Sequence, residues 1–339
     1  MINNAIKKVI ERNDLSEQEM IGVMDQIMAG NATDVQIASF ITALRMKGET
    51  IEEITGAARV MHRNAVKIPV LIKDDLVDIV GTGGDAANTF NISTAAAIVA
   101  CGAGVRIAKH GNRAVSSSCG SADVIEHLGI NIDISPESVG TCIDEIGIGF
   151  LFARKLHRAM KYAAPVRNEL GVRTIFNILG PLTNPADAPT QIVGVFDEKL
   201  TEVIANVLNH LGKKRALVVH GKDGLDEISL GAETVVSELC EKTVTTYAIS
   251  PEMVGFSPAP CARIAGGTPE HNTRIIFDML NGKKGPHRDI VCLNAGAALV
   301  ASNKAETLQD GVSIAADAID SGNALQKLGM LKDMTNKLS

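Results

Sequence analysis

Leu76-Val-Asp-Ile-Val-Gly81-Thr-Gly-Gly-Asp85 is the stretch on which the fold turns. A short apolar run ends in a glycine-rich turn, and Asn91-Ile-Ser-Thr94 then opens an Ala-rich segment. Buried strand, tight turn and helix in succession are the unit from which parallel α/β sheets are built. Glycines let a backbone approach a phosphate closely, and a helix N-terminus offers free N–H groups at the positive end of its dipole. A tight strand-to-helix connection would use the same residues for geometry alone. The turn is not of the Walker type, since no Gly-Lys-Ser/Thr follows, nor is it the dinucleotide fingerprint.

Before this stretch, residues 1–64 read as helices only. Ser16 with Glu19 makes a capping box ahead of Met20, Val23, Met24, Ile27 and Met28, which are spaced for one helix face. A helix from about Thr33 carries Ile37, Phe40, Ile41 and Leu44 on one side, and Thr50 with Glu53 opens another. Such short helices cannot build a large core alone, so they must pack on the rest of the chain or on a second subunit. After the stretch, further apolar runs at Val105–Ala108, Gln191–Phe196 and Ala216–Val219 alternate with helical segments. This predicts an α/β domain with a largely parallel sheet. Pro165, Pro181, Pro185 and Pro189 mark a segment crossing between the two parts, and Ala305 to Leu331 reads as two surface helices.

Three further segments carry chemistry. Lys109-His-Gly-Asn-Arg-Ala-Val-Ser-Ser117 directly follows a predicted strand and supplies two cations, an amide, hydroxyls and a glycine, as a phosphate-and-sugar loop requires. A solvated basic loop is its bland alternative. Gly224-Leu-Asp226-Glu227-Ile-Ser places adjacent carboxylates just beyond another strand. These are ordinarily solvated, but beside a phosphate loop they become candidates for magnesium. Neighbours on one strand point to opposite faces, so an irregular loop or two separate ions is implied. In Ala164-Pro-Val-Arg167, an arginine after a proline is either a surface residue or a fixed fork for a carboxylate. Cys119 reads as a small filler, and His110 and His157 as packing or surface residues.

Composition excludes several classes. With 339 residues, 45% of them hydrophobic, the chain can bury a full core, and it divides into two parts. A net charge of -6, from 33 basic against 39 acidic residues, argues against a general nucleic-acid binder. An anionic ligand must therefore be held by local cations and backbone N–H groups. The six cysteines show no CxxC spacing and are expected to be reduced thiols. The opening residues lack an apolar signal-peptide core, and Ala95 to Val105 is too short to span a bilayer, so a cytoplasmic chain without a membrane partner is expected.

Together and in this order, these segments resemble the anthranilate phosphoribosyltransferases over nearly the whole chain. The resemblance runs through Ala43–Glu49, Gly81–Asp85, Asn91–Thr94, Lys109–Asp123, Arg167, Arg173–Ala186 and Gly224–Ser229. Two positions depart from the family's usual form: Arg154, where proline is common, and Arg158. The resemblance implies the nucleoside phosphorylase/phosphoribosyltransferase fold, an α/β domain with a mixed, mostly parallel sheet flanked by helices, plus a small all-helical domain. The boundaries expected are 1–70 for the helical domain, completed near 165–189, and 71–339 for the catalytic domain.

The family also implies the site. Phosphoribosyl pyrophosphate would be held by Gly81, Gly84, Asp85, Thr89, Asn91, Ile92, Ser93, Thr94, the loop Lys109, His110, Gly111, Asn112, Arg113, Ala114, Val115, Ser116 and Ser117, and by Ser121. Gly81, Asn112 and Arg167 would meet anthranilate, and Ser93, Asp226 and Glu227 would serve Mg2+. No residue is expected as acid or base, because the acceptor's amine is already neutral near pH 7. Homodimers are expected through the helical domain. Two rivals share the fold: a pyrimidine nucleoside phosphorylase, which would need a further C-terminal domain, and a nucleic-acid-binding branch, which the charge balance disfavours.

Overall fold

Helix formation in the N-terminal bundle follows its caps. The computed structural model describes residues 1–85, 87–114 and 118–338; Val115, Ser116 and Ser117 of the expected loop lie outside the described residues. Helices α1 (Ile2–Ile10), α2 (Glu17–Met28), α3 (Asp34–Lys47) and α4 (Ile51–Arg63) come first. Ser16 Oγ accepts from the Glu19 N–H while the Glu19 carboxylate accepts from the Ser16 N–H, closing the capping box. Thr33 with Gln36, and Thr50 with Glu53, do the same for α3 and α4. Glu53 also takes the Leu15 N–H at 2.9 Å and the Lys47 ammonium at 2.9 Å, so one buried carboxylate ties α3 and α4 to the connection between α1 and α2.

The sheet comprises β1 (Leu76–Gly81), β2 (Arg106–Gly111), β3 (Ile148–Phe152), β4 (Thr190–Gly194), β5 (Arg215–Gly221), β6 (Thr234–Cys240) and β7 (Thr243–Ile249). Its spatial order is β3-β2-β1-β4-β5-β6-β7. The strands from β3 to β5 run parallel, and β6 and β7 add an antiparallel edge. The sheet is therefore mixed and mostly parallel. Around it lie α5 (Ile92–Gly102), α6 (Ser121–His127), α7 (Pro136–Ile146), α8 (Ala153–Leu156), α9 (Ala164–Leu170), α10 (Phe176–Leu179), α11 (Leu200–His210), α12 (Pro269–Leu280), α13 (Pro286–Ala301), α14 (Leu308–Asp320) and α15 (Asn323–Lys337).

Strand alternation sorts the side chains into two cores. Ile79, Ile192, Leu217 and Val219 face a core shared with α5, α13, α14 and α15. Their neighbours Val80, Val193 and Val218 face the other side, where they join α11, the bundle residues Met20, Met24, Phe40 and Leu44, and Phe176 to Leu182 of the proline-marked crossing. Much of the apolar face of the first four helices is thus buried within this chain. The apolar runs of the sequence signal β1, β2, β4 and β5, and miss β3 as well as the hairpin strands β6 and β7. Their two-residue turn, Glu241-Lys242, holds φ of 48° and 70° without the Gly or Asn that usually signals a hairpin.

The order places β1 between β2 and β4, so the strand connections diverge at the β1–β4 pair. In open α/β sheets ligands bind outside the carboxyl ends of strands at such a switch point. The Gly81–Asp85 turn leaves β1 there.

Candidate active site

The site begins with a break in the sheet. Strands β1 and β2 pair at Leu76↔Arg106 and Val77↔Ile107, and there their paired register ends. Beyond that point the Asp78 side chain takes over: one oxygen accepts the His110 N–H at 3.0 Å, and the other accepts from Asn184 Nδ2 at 2.8 Å. Asn184 also donates to the Ala108 carbonyl, at 2.9 Å. The Asp78, His110 and Asn184 residues are all buried. An aspartate inside the otherwise apolar run Leu76–Val80 is the signal for this in the sequence, but its partner lies 106 residues away.

Splaying the strands frees Ile79's carbonyl for the Lys109 ammonium, which sits 2.6 Å away and 3.2 Å from Ser93 Oγ. Lys109 is 4% exposed. Burial pulls its pKa below the ordinary lysine value, while Asp78, Glu227 and Asp226 hold it up. Around this cation the Gly-rich turn and the β5–β6 loop meet. Asp226 Oδ2 accepts the Gly83 N–H at 2.7 Å, and Glu227 Oε1 accepts the Ser93 N–H at 3.0 Å, in the first turn of α5. Two glycines make room: a Cβ on Gly81 would lie 2.5 Å from Asp226 Oδ2, and one on Gly194 would lie 1.6 Å from the Asp226 carbonyl. The adjacent carboxylates diverge along an irregular loop, one to the Gly-rich turn and the other to α5.

Burial pushes both acids up: Asp226 well above the usual carboxylate range and Glu227 to about 7, each aggravated by the charge of Asp85. Lys109 and the Ser93 bonds restrain Glu227. Crowded, desolvated carboxylates of this kind are what a hard divalent cation relieves. Among the described residues no three His, Cys, Asp or Glu side chains converge on one ion position. That donor set fits Mg2+, which is bound by one or two carboxylates and completes its shell with water and substrate phosphate.

The second loop folds on itself. The Asn112 N–H donates to Ser121 Oγ at 3.1 Å, and Asp123 accepts from the Ala114 and Gly120 N–H groups at 3.0 and 2.9 Å. Arg113 differs from the free cation that its position suggests. Its guanidinium bonds Asp123 at 2.9 Å and Glu126 at 2.5 Å, so its charge is already paired. Thr89 forms a bridge with Ala265, and Asn91 is the N-cap residue of α5, ahead of Ile92, Ser93 and Thr94. Thr94 Oγ1 is buried without a hydrogen-bond partner among the described residues.

Alternation along β2 turns His110 to the face opposite Lys109. There its ring donates to the Gly180 carbonyl and meets His157, with Nε2 to Nε2 at 3.2 Å. A neutral His110 then accepts at its other nitrogen, making His157 the donor. Sequence alone reads both as packing or surface residues, with no sign that they meet. Burial lowers both pKa values, that of His157 to about 4, with His62 and Lys67 adding repulsion. A histidine depressed from its unfolded value of about 6.5 binds its proton better in the unfolded chain. Stability from this pair is therefore full above pH 6.5 and is lost as pH falls towards 4. Melting temperature should drop across the window from about 6.5 to about 4.5, before most carboxylates titrate, and His157→Gln should flatten the drop. An equally steep profile in that variant would assign the loss to other groups.

On this side Arg167 in α9 is half-buried, with its guanidinium 5.4 Å from the Phe176 ring centroid. No acid pairs with it among the described residues, and desolvation alone lowers its pKa. Arg173, a residue the sequence singles out only within a longer motif, bonds the Gly84 carbonyl and stacks on Phe196 at 4.3 Å, linking the crossing segment to the Gly-rich turn.

Residues 73–325 match the model of the glycosyl transferase family a/b domain, and residues 3–65 match that of the family's helical bundle domain. An anthranilate phosphoribosyltransferase of Geobacter sulfurreducens is 56% identical, over 99% of this chain and all of that one. Among solved structures, the anthranilate phosphoribosyltransferase of Thermus thermophilus superposes with a TM-score of 0.93 at 45% identity, covering 98% of this chain and 99% of the other. The Saccharomyces cerevisiae enzyme, solved in complex with phosphoribosyl pyrophosphate and Mg, gives 0.91 at 30% identity, covering 99% and 98%.

Proposed function

The chain belongs to the anthranilate phosphoribosyltransferase family, and from that membership we propose how its residues divide the work. The enzyme moves the 5-phosphoribosyl group of phosphoribosyl pyrophosphate onto the amine of anthranilate, giving N-(5-phosphoribosyl)anthranilate and pyrophosphate in tryptophan biosynthesis. The donor lies against the Gly81–Asp85 turn, Thr89 to Thr94, the Lys109–Ser117 loop and Ser121. Anthranilate lies towards Gly81, Asn112 and Arg167. The observation that carries this division is the segregation of charge: a buried Lys109 among carboxylates on one side, and a desolvated Arg167 with no acid partner among the described residues on the other.

The anomeric carbon passes through an oxocarbenium-like state as pyrophosphate departs, so the demand falls on the leaving group. When bound, Mg2+ held by Ser93, Asp226 and Glu227 supplies charge neutralisation to the pyrophosphate. Lys109 adds a fixed cation in a site of low dielectric, where it acts more strongly than in water. In the first turn of α5 the Ile92 and Ser93 N–H groups are taken by the Phe90 carbonyl and Glu227, which leaves the Thr94 N–H to face the same oxygens. Arg167 forks onto the anthranilate carboxylate and directs the amine to the anomeric carbon. No side chain is needed as a base. Closure of residues 1–70, with the segment 165–189, over the remainder of residues 71–339 would bring the two substrates together and exclude water.

Anthranilate fluorescence should be lost on mixing enzyme, phosphoribosyl pyrophosphate and Mg2+, and retained when either of the last two is withheld. Turnover without the metal, or with inorganic phosphate and a nucleoside instead, would refute this reading.

We also propose a homodimer through the helical domain. Helices α1 and α3 pack on each other yet leave Ile10, Val35 and Met46 exposed by 65%, 76% and 71%. Exposed apolar groups on two packed helices favour twofold self-association. Sedimentation should give about twice the 35.7 kDa chain mass, and Val35→Glu with Met46→Glu should halve it. A fully active monomer at micromolar concentration counts against the dimer. No helix among the described residues is long and apolar enough to cross a membrane, and the reading is of a cytoplasmic enzyme with no nucleic-acid partner.

A further inference from the structure

We propose that Asn272, on α12, is a positioning residue for the donor: it fixes the Asn91 amide and, through it, the relative placement of the two loops that hold phosphoribosyl pyrophosphate. The inference rests on the assignment of those loops given above.

Asn272 is 1% exposed. Its Oδ1 accepts the Gly267 N–H at 2.8 Å, and its Nδ2 donates to Asn91 Oδ1 at 3.0 Å, across 181 residues of sequence. Asn91 Nδ2 in turn donates to the Cys119 carbonyl at 3.2 Å, while Cys119 Sγ lies 3.4 Å from Asn91 Oδ1 and 3.5 Å from the Gly120 carbonyl, either of which can accept its S–H. Only one orientation of the two amides satisfies their backbone partners. The Cys119 carbonyl can only accept and the Gly267 N–H can only donate, so each amide is locked by a partner whose role is fixed. Asn272 is not needed to cap its own helix, since Thr268 already accepts the His271 N–H.

The node sits where two walls of the donor site meet. Asn91 precedes Ser93 and Thr94 on the first turn of α5, and Cys119 precedes Ser121, whose hydroxyl bonds Asn112. The segment beside Asn272 backs both walls: Ser118 Oγ donates to the Gly267 carbonyl at 2.9 Å, the Gly266 N–H donates to the Asn88 carbonyl at 2.8 Å, and Ala265 bridges Thr89. Asn91's amide is therefore turned into the protein. It serves the donor by holding α5 in register with the loop at 118–121, and Asn272 determines which way it faces.

Asn272→Asp tests this with little change of volume. It keeps an acceptor for the Gly267 N–H but sets a carboxylate oxygen against Asn91 Oδ1. The Asn91 amide must then turn, which breaks its bond to the Cys119 carbonyl. The KM for phosphoribosyl pyrophosphate should rise about tenfold, the effect of losing one buried hydrogen bond, with the KM for anthranilate within about twofold of wild type. In the Asn91→Ala background the same substitution should add nothing. Should a buried carboxylate prevent folding, Asn272→Ala carries the same comparison. An unchanged donor KM, equal increases for both substrates, or multiplicative effects in the double variant would each overturn the proposal. A wild-type enzyme with no turnover dependent on phosphoribosyl pyrophosphate would instead overturn the functional reading beneath it.

Discussion

Replacing Asp226 by Asn and Glu227 by Gln together should lower turnover by about 10³-fold or more while leaving the protein folded. Adjacent loop carboxylates are ordinarily dispensable to a fold, but here Asp226 is buried, Glu227 is half-buried, and each accepts a backbone N–H, from Gly83 and Ser93. Alanine would orphan those donors, a loss of about 1–3 kcal/mol each. The amides retain a carbonyl acceptor of the same shape, so only the charge is removed. Removing it also relieves the repulsion and desolvation that push both pKa values up. The melting temperature of the metal-free variant should therefore equal or exceed that of wild type, and the rise that Mg2+ with pyrophosphate gives the wild type should vanish. Activity within about tenfold of wild type, or undiminished activity in EDTA, would remove these residues from the mechanism.

Arg167→Ala and Lys109→Met should impair opposite substrates. Arg167 has no acid partner among the described residues and lies over Phe176. Loss of the charge-assisted pair proposed between it and the anthranilate carboxylate should cost about 1.5–3 kcal/mol, or about ten- to a hundredfold in apparent affinity. Phosphoribosyl pyrophosphate should bind nearly as before. Lys109 lies 3.2 Å from Ser93 Oγ and is held by the fields of Asp78, Glu227 and Asp226, so its loss should weaken the donor and slow departure of pyrophosphate. Methionine fills most of the lysine volume, which limits the cavity that alanine would open. Titrating each substrate against both variants in Mg2+ decides the matter. If Arg167→Ala impairs the two substrates equally, that arginine is a structural contact between the crossing segment and the bundle.

What local chemistry encodes is legible without any coordinates. Ser16 with Glu19 and Thr50 with Glu53 announce helix starts because the partners of a capping box lie three residues apart. The Gly81–Asp85 turn announces a strand's end and a phosphate approach, because glycine's freedom is a property of the single residue. The order of these segments is enough to suggest the family. The β6–β7 hairpin escapes because its turn residues, Glu241 and Lys242, carry no signal for the positive φ they adopt.

The tertiary structure alone decided what each side chain does with its charge. Arg113 reads as a free cation of the phosphate loop until folding sets it against Asp123 and Glu126. Asp78 cannot be seen to open the sheet until Asn184 arrives, nor Asn272 to orient Asn91, nor His157 to meet His110. A residue's propensity acts over a few neighbours and survives in the sequence. Burial, ion pairing and the direction of a hydrogen bond depend on groups that chain folding alone brings together, from 47 to 181 residues apart in these last three cases.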